Sequence, residues 1–176
     1  MVWNQLALGL GQLPGGSYAG ANAVSADGSI IVGSGQTATG TRGFRWTQAD
    51  GMTALAELSG GIEWGSAEAI SADGSVIVGS SADESGEQAV IWTQGAGIQR
   101  LFDVLVARGI DLTGWSLLAA FDVSDDGRFI VGWGYDPDNH QAAFLAELTP
   151  VPTLPAVWLF GSALGMLGWM RRRVPT

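Results

Sequence analysis

A pattern of 46 residues runs through the chain and restricts it to architectures made of stacked, equivalent units. "ANAVSADGSIIVGSG" at 21–35 returns as "AEAISADGSVIVGSS" at 67–81, and "FRWTQADGMTAL" at 44–55 returns as "VIWTQGAGIQRL" at 90–101. Ser25 and Ser71, like Trp46 and Trp92, stand 46 residues apart, so two separate motifs keep one phase. A third copy opens with "AFDVSDDGRFIVGWG" at 120–134 and continues into "QAAFLAEL" at 141–148, at a spacing of 53 because seven residues have been added after the second copy. Repeats of this length each form one supersecondary unit that buries its apolar faces only against its neighbours.

Within each unit an apolar strand ends at Ser-Ala-Asp-Gly or Ser-Asp-Asp-Gly. The aspartate there accepts hydrogen bonds from the backbone ahead of it, and the glycine supplies a positive φ. The chain returns through "SIIVG", "SVIVG" or "RFIVG", which predicts a hairpin. A polar loop, a strand ending at Trp46 or Trp92, a second glycine turn and a fourth strand around 52–58 or 98–102 complete the unit. The expected fold class is therefore all-β: four-stranded antiparallel units resembling part of a β-propeller. Three units and a fraction are fewer than a closed ring ordinarily contains, so an open arc is expected, its edges exposed or completed by partners or further sequence.

Two segments interrupt the pattern. "IQRLFDVLVARGIDLTGWSL" at 98–117 places Leu101, Leu105 and Val106 at helical spacing beside Phe102, with Gly109 as a C-terminal cap, which predicts one short amphipathic helix. "VWNQLALGLGQLPGG" near the start resembles "RWTQADGMTALAELSGG", with Trp3 in the place of Trp46 and Gly15-Gly16 in that of Gly60-Gly61. The reading is a partial unit over 1–16, units over about 17–61, 62–117 and 118–148, and a longer native chain upstream. The first residues carry neither a basic region nor an apolar stretch with a small-residue cleavage site, unlike a secretory signal.

Charge and composition exclude several classes of function. Ahead of the C-terminal tail, five arginines face seventeen acidic groups, a formal charge of −12, and a surface of that sign repels phosphate backbones, so no nucleic-acid partner is expected. Cysteine is absent, which removes disulfides and thiolate zinc sites. The repeated Asp27, Asp73 and Asp126 are read as formers of their turns, not as metal ligands or catalytic groups. "SADESGE" at 81–87 and "YDPDNH" at 135–140 carry enough oxygens to attract calcium, but neither has the spacing of a known calcium loop. His140, the single histidine, lacks partners for zinc, and no Gly-x-Ser-x-Gly elbow accompanies it. No catalytic, cofactor or metal residues are assigned. Trp46 and Trp92 are expected to fill the space between units; Trp64, Trp115 and Trp133 lie outside that repeated position and are the candidate glycan contacts.

These units resemble those of the bacterial extracellular HAF-repeat family over roughly residues 2–148. The family pattern A-x-x-I-S-A-D-G-x-V-I-V-G is kept closely, whereas its His-Ala-Phe triplet is replaced by Arg42-Gly43-Phe44, Gln88-Ala89-Val90 and Ala142-Ala143-Phe144. Only the last, aromatic or branched, position survives, which suggests that it packs inward. The resemblance implies a non-enzymatic protein of the cell surface or extracellular matrix. A glycan-binding or glycan-processing protein on a propeller-like scaffold is the alternative.

The tail adds a location. Nothing between Leu154 and Met170 is charged, and Arg171, Arg172 and Arg173 follow at once. Seventeen helical residues rise about 25 Å, enough for a short membrane span whose arginines stay on the cytoplasmic side. The expected layout is a linker and sorting motif at 149–153, then a transmembrane helix and arginine cluster at 154–173. Gly161 and Gly165 would form a flat face for another helix. The segment resembles the PEP-CTERM sorting signal of Gram-negative bacteria in its VPLPA-like form, carried here on Val151, Pro152, Leu154, Pro155 and Ala156 with Thr153 as an extra residue. That resemblance implies an exosortase-type processing enzyme and inner membrane lipid as partners, with extracellular polysaccharide as a further one. The precursor would reside in the inner membrane, and the processed protein at the cell surface or outside the cell.

Overall fold

A computed structural model describes residues 8–148. The predicted transmembrane helix and the sorting motif lie outside the described residues, and no helix among those described is long and apolar enough to cross a membrane.

The chain is mostly strand, in three successive units. Unit one comprises β1 (Ala19–Val24), β2 (Ile30–Gln36), β3 (Thr41–Thr47) and β4 (Gly51–Ala54). Unit two comprises β5 (Gly60–Ile70), β6 (Val76–Asp83), β7 (Gly86–Thr93) and β8 (Gly97–Arg100), followed by α1 (Leu101–Ala107). Unit three has β9 (Ser116–Val123), β10 (Phe129–Tyr135) and β11 (Gln141–Glu147). Within every unit consecutive strands pair antiparallel. The expectation of an all-antiparallel assembly needs one correction: β3 and β5 touch in parallel at Thr41 and Trp64, which joins the first two units into one eight-stranded sheet. The sheets do not close on themselves.

Register shows that the repeat is structural as well as textual. Ala21 opposes Gly33 and Ala23 opposes Val32; 46 residues on, Ala67 opposes Gly79 and Ala69 opposes Val78. Unit three repeats the arrangement with Ala120 opposite Gly132 and Asp122 opposite Val131. One residue is left over in each first strand, namely Asn22, Glu68 and Phe121. This bulge bends the strand toward its neighbour. A Cβ on Gly33, Gly79 or Gly132 would collide with the carbonyl of Gly20, Ser66 or Ala119, so glycine of "IVG" is required by close approach of two backbones. The surviving position of the altered triplets lies across from that glycine: Phe44 opposes Gly33, Val90 opposes Gly79 and Phe144 opposes Gly132. Phe44 and Val90 are fully buried there, filling the space that a glycine leaves.

Units stack through two apolar layers. Val32 of unit one packs with Ile70, Ile77 and Trp92 of unit two, and the connector adds Leu55 and Leu58. Val78, Ala89 and Ile91 of unit two pack with Val123, Ile130 and Ala146 of unit three. The inserted segment enlarges this second layer: Leu101 and Leu105 are buried in it, whereas Val106 of the same predicted stripe faces solvent. Gly109 ends α1 with φ 85°, donating to the Val106 carbonyl at 2.9 Å, while Ile110 donates to the Leu105 carbonyl at 3.2 Å. That pair of bonds is a Schellman cap, the role the sequence predicted for Gly109.

Entry of the chain into unit one copies its entry into unit two. Leu13 is buried beside Gly35, as Leu58 lies beside Ser81, the residue 46 positions on from Gly35. A Cβ on Gly16 would meet Gln36, as one on Gly61 would meet Ala82.

Candidate functional site

The most strongly repeated polar feature is the turn closing the first hairpin of each unit. The Ser25 and Ser29 hydroxyls donate to Asp27 Oδ1 at 2.7 and 2.8 Å, the Ser29 amide donates to the same oxygen at 3.0 Å, and the Ile30 amide donates to Ser25 Oγ at 3.0 Å. Asp73 accepts from Ser71 and Ser75 at the same distances, and Asp126 accepts from the Ser124 hydroxyl and the Arg128 amide. These donors favour the carboxylate form. The Ser29 amide leads in holding Asp27 down to about 2, the Ser71 hydroxyl leads in doing the same for Asp73, and Asp126 is lowered chiefly by Ser124. Each aspartate thus organises its own turn.

The three turns also run together in a line. The Ala26 amide donates to the Ala72 carbonyl, and the Ala72 amide donates to the Asp125 carbonyl, both at 3.0 Å. This brings equivalent turns of neighbouring units into contact while leaving each carboxylate bonded within its own turn.

Both acidic loops are folded around one aspartate. Asp83 is buried, accepts from the Ser85 amide at 2.6 Å and pairs with Arg100 at 2.5 Å. Asp136 accepts from the amides of Asp138 and His140 at 3.0 and 2.8 Å, and the His140 imidazole reaches it only at 3.7 Å. Among the described residues no three histidine, aspartate or glutamate side chains are grouped so as to hold a metal ion. Where units one and two meet, Arg42 lies 3.5 Å from Glu57, whose carboxyl is pushed up by burial against the opposing pull of Arg42.

The candidate glycan contacts lie on different elements. Trp64 is half-buried on β5, Trp133 stands on β10 edge-on to Tyr135 with ring centres 6.0 Å apart, and Trp115 precedes β9. Trp115 lines two grooves, and neither contains Trp64 or Trp133. One is an apolar trough between the inserted segment and β11, bounded by Leu105, Ile110, Leu112 and Phe144. The other, of ≈ 370 Å³, sets Trp115 and Phe102 among Ser85, Gln88, Arg100 and Asp103. Sequence reasoning missed these polar members because they come from the β6–β7 turn, β7, β8 and α1, which no motif connects.

The chain matches no family model and no curated protein.

Proposed function

We propose that the chain is a non-enzymatic repeat protein of the cell surface or extracellular matrix, built from propeller-like units and directed to the envelope of a Gram-negative bacterium by its C-terminal segment. The observation that carries this reading is residues 151–173: a proline-containing motif, an uncharged run and an arginine cluster, attached to an acidic β-repeat domain. A domain of that charge is soluble in water, so the apolar run has a different task from core filling. Support also comes from the turn aspartates, whose hydrogen bonds are used in building the scaffold. In this proposal the exosortase-type enzyme recognises Val151 to Ala156, and the inner membrane holds the precursor until processing. The test is fractionation of the signal-bearing protein with and without residues 151–176. Loss of the membrane and surface pools on deletion supports the sorting role, and an unchanged distribution among cytosol, membrane and medium refutes it.

A second reading, glycan binding, is favoured by the groove beside Trp115, where an aromatic wall meets amide, hydroxyl and charged groups suited to a sugar ring. Glycan-array binding that is lost in Trp115→Ala would establish it. Turnover of a glycan abolished by a carboxylate substitution would point instead to an enzyme.

A further inference from the structure

The two ends of the three-unit stack expose opposite faces of the repeated unit. On the face that unit two turns toward unit one, Ile70 is 8% exposed and is accompanied by Ile77 and Trp92. The same positions in unit one are Val24, Ile31 and Trp46; Val24 is 55% exposed, and Ile31 and Trp46 line an open groove of ≈ 810 Å³ with Leu8 and Leu10. At the far end the opposite face is bare. Val131 is 42% exposed where its equivalent Val78 is 0%, and Leu145 is 68% exposed where Ile91 is 3%.

Polar groups and shape give this interface a direction. Each turn amide donates to the turn carbonyl of the following unit, so the series ends with the Ala26 carbonyl at one end and the Asp125 amide at the other, neither bonded among the described residues. A knob also passes from unit to unit. Ile30 of unit one fills the space over Gly74 of unit two, and a Cβ on Gly127 of unit three would lie 3.1 Å from Val76. Phe129 is the next knob and is exposed, while Gly28, which would receive one, has open space above it. The open face of unit three is thus complementary to the open face of unit one.

We propose that two copies of the 176-residue chain, whose described residues carry three units, associate head-to-tail into a closed ring of six such units, the open face of unit three in each copy seated on the open face of unit one in the other. The two faces complement each other and not themselves: a donor faces an acceptor and a knob faces a glycine, so the contact is heterologous. Such contacts either close or polymerise. Three units from each of two copies make six, within the four to eight of closed rings, whereas three copies would give nine. Closure would remove both apolar edges from water.

The absence of cysteine makes a directional test simple. The full chain, held in detergent micelles because of its apolar tail, is prepared as Ala26→Cys and as Asp125→Cys. An equimolar mixture treated with a short bismaleimide is expected to give a crosslinked dimer, and each variant alone is expected to give none. The parent should show a protein mass twice its 18.3 kDa by light scattering, and the double variant Val131→Asp, Leu145→Asp should fall to one chain with an unchanged far-UV circular dichroism spectrum. A single-chain mass for the parent, crosslinking within either single-cysteine sample, or no crosslink in the mixture would overturn the proposal. A ladder of higher species would overturn the closed ring, and a dimer that survives the double variant, as one held by the tail would, would overturn the interface.

Discussion

The indole Nε1 of Trp92 donates to the Ala56 carbonyl at 2.7 Å, tying the third strand of unit two to the connector that leaves unit one. Trp92 is buried in the layer between the units, so one side chain supplies both apolar contact and a polar tether across the junction. Trp92→Phe keeps most of the bulk and removes the donor, and is expected to cost about 1–2 kcal/mol. Trp92→Ala adds a cavity and is expected to cost about 3–5 kcal/mol. Urea unfolding followed by far-UV circular dichroism measures both, and an unchanged stability in Trp92→Phe would mean that the hydrogen bond contributes nothing beyond packing.

The glycine across from Val90 should tolerate no side chain. A Cβ on Gly79 would collide with the Ser66 carbonyl, and backbone, unlike a flexible side chain, has little room to withdraw. Gly79→Ala is expected to destabilise by about 1–3 kcal/mol, the usual range for overpacking, with strain adding to the upper end. Gly95→Ala is the control, since open space surrounds that position. Comparable melting temperatures for the two variants would contradict this account of the bulge.

Acid should weaken the hairpin turns. Asp27 and Asp73 have folded-state values of about 2 against an ordinary 3.8, so their contribution is fully present above about pH 4 and is lost as the pH falls toward 2. Thermal unfolding measured between pH 5 and pH 2 should show a falling midpoint. Asp27→Asn with Asp73→Asn should flatten that fall. Unchanged acid sensitivity in the double variant would place the titrating groups elsewhere.

The end of α1 offers a local test. Gly109 adopts φ 85° in open space, so a methyl group there meets no neighbour and acts only through the backbone. Gly109→Ala is expected to cost about 1 kcal/mol, and Gly109→Asn less, because asparagine enters the left-handed region more readily. Denaturant midpoints of the three proteins should follow the order glycine, asparagine, alanine.

Much of the candidate site was hidden from sequence reading for a physical reason. Asp27, Asp73 and Asp126 were readable as turn residues because their partners lie two residues away on either side, within the reach of local hydrogen bonding. The groove beside Trp115 was not, because Ser85, Arg100 and Asp103 meet it only after the units have stacked and the insertion has folded back. Val106 fails for a related reason: helical spacing selects a face, but packing against units two and three decides which part of that face is covered.

The sequence by itself determined the unit. Its 46-residue phase, the Ser-x-Asp-Gly turns, the "IVG" strands and the capping Gly109 depend on interactions within a strand, a turn or a hairpin, and these recur wherever the same residues recur. Only the tertiary structure decided what the unit's two faces meet. Ile70 and Val24 occupy the same place in the repeat, as do Val78 and Val131, yet one of each pair is buried and the other open to solvent. Burial belongs to the neighbour across an interface and not to the residue. The three described units have two ends at which that neighbour is not one of their own strands.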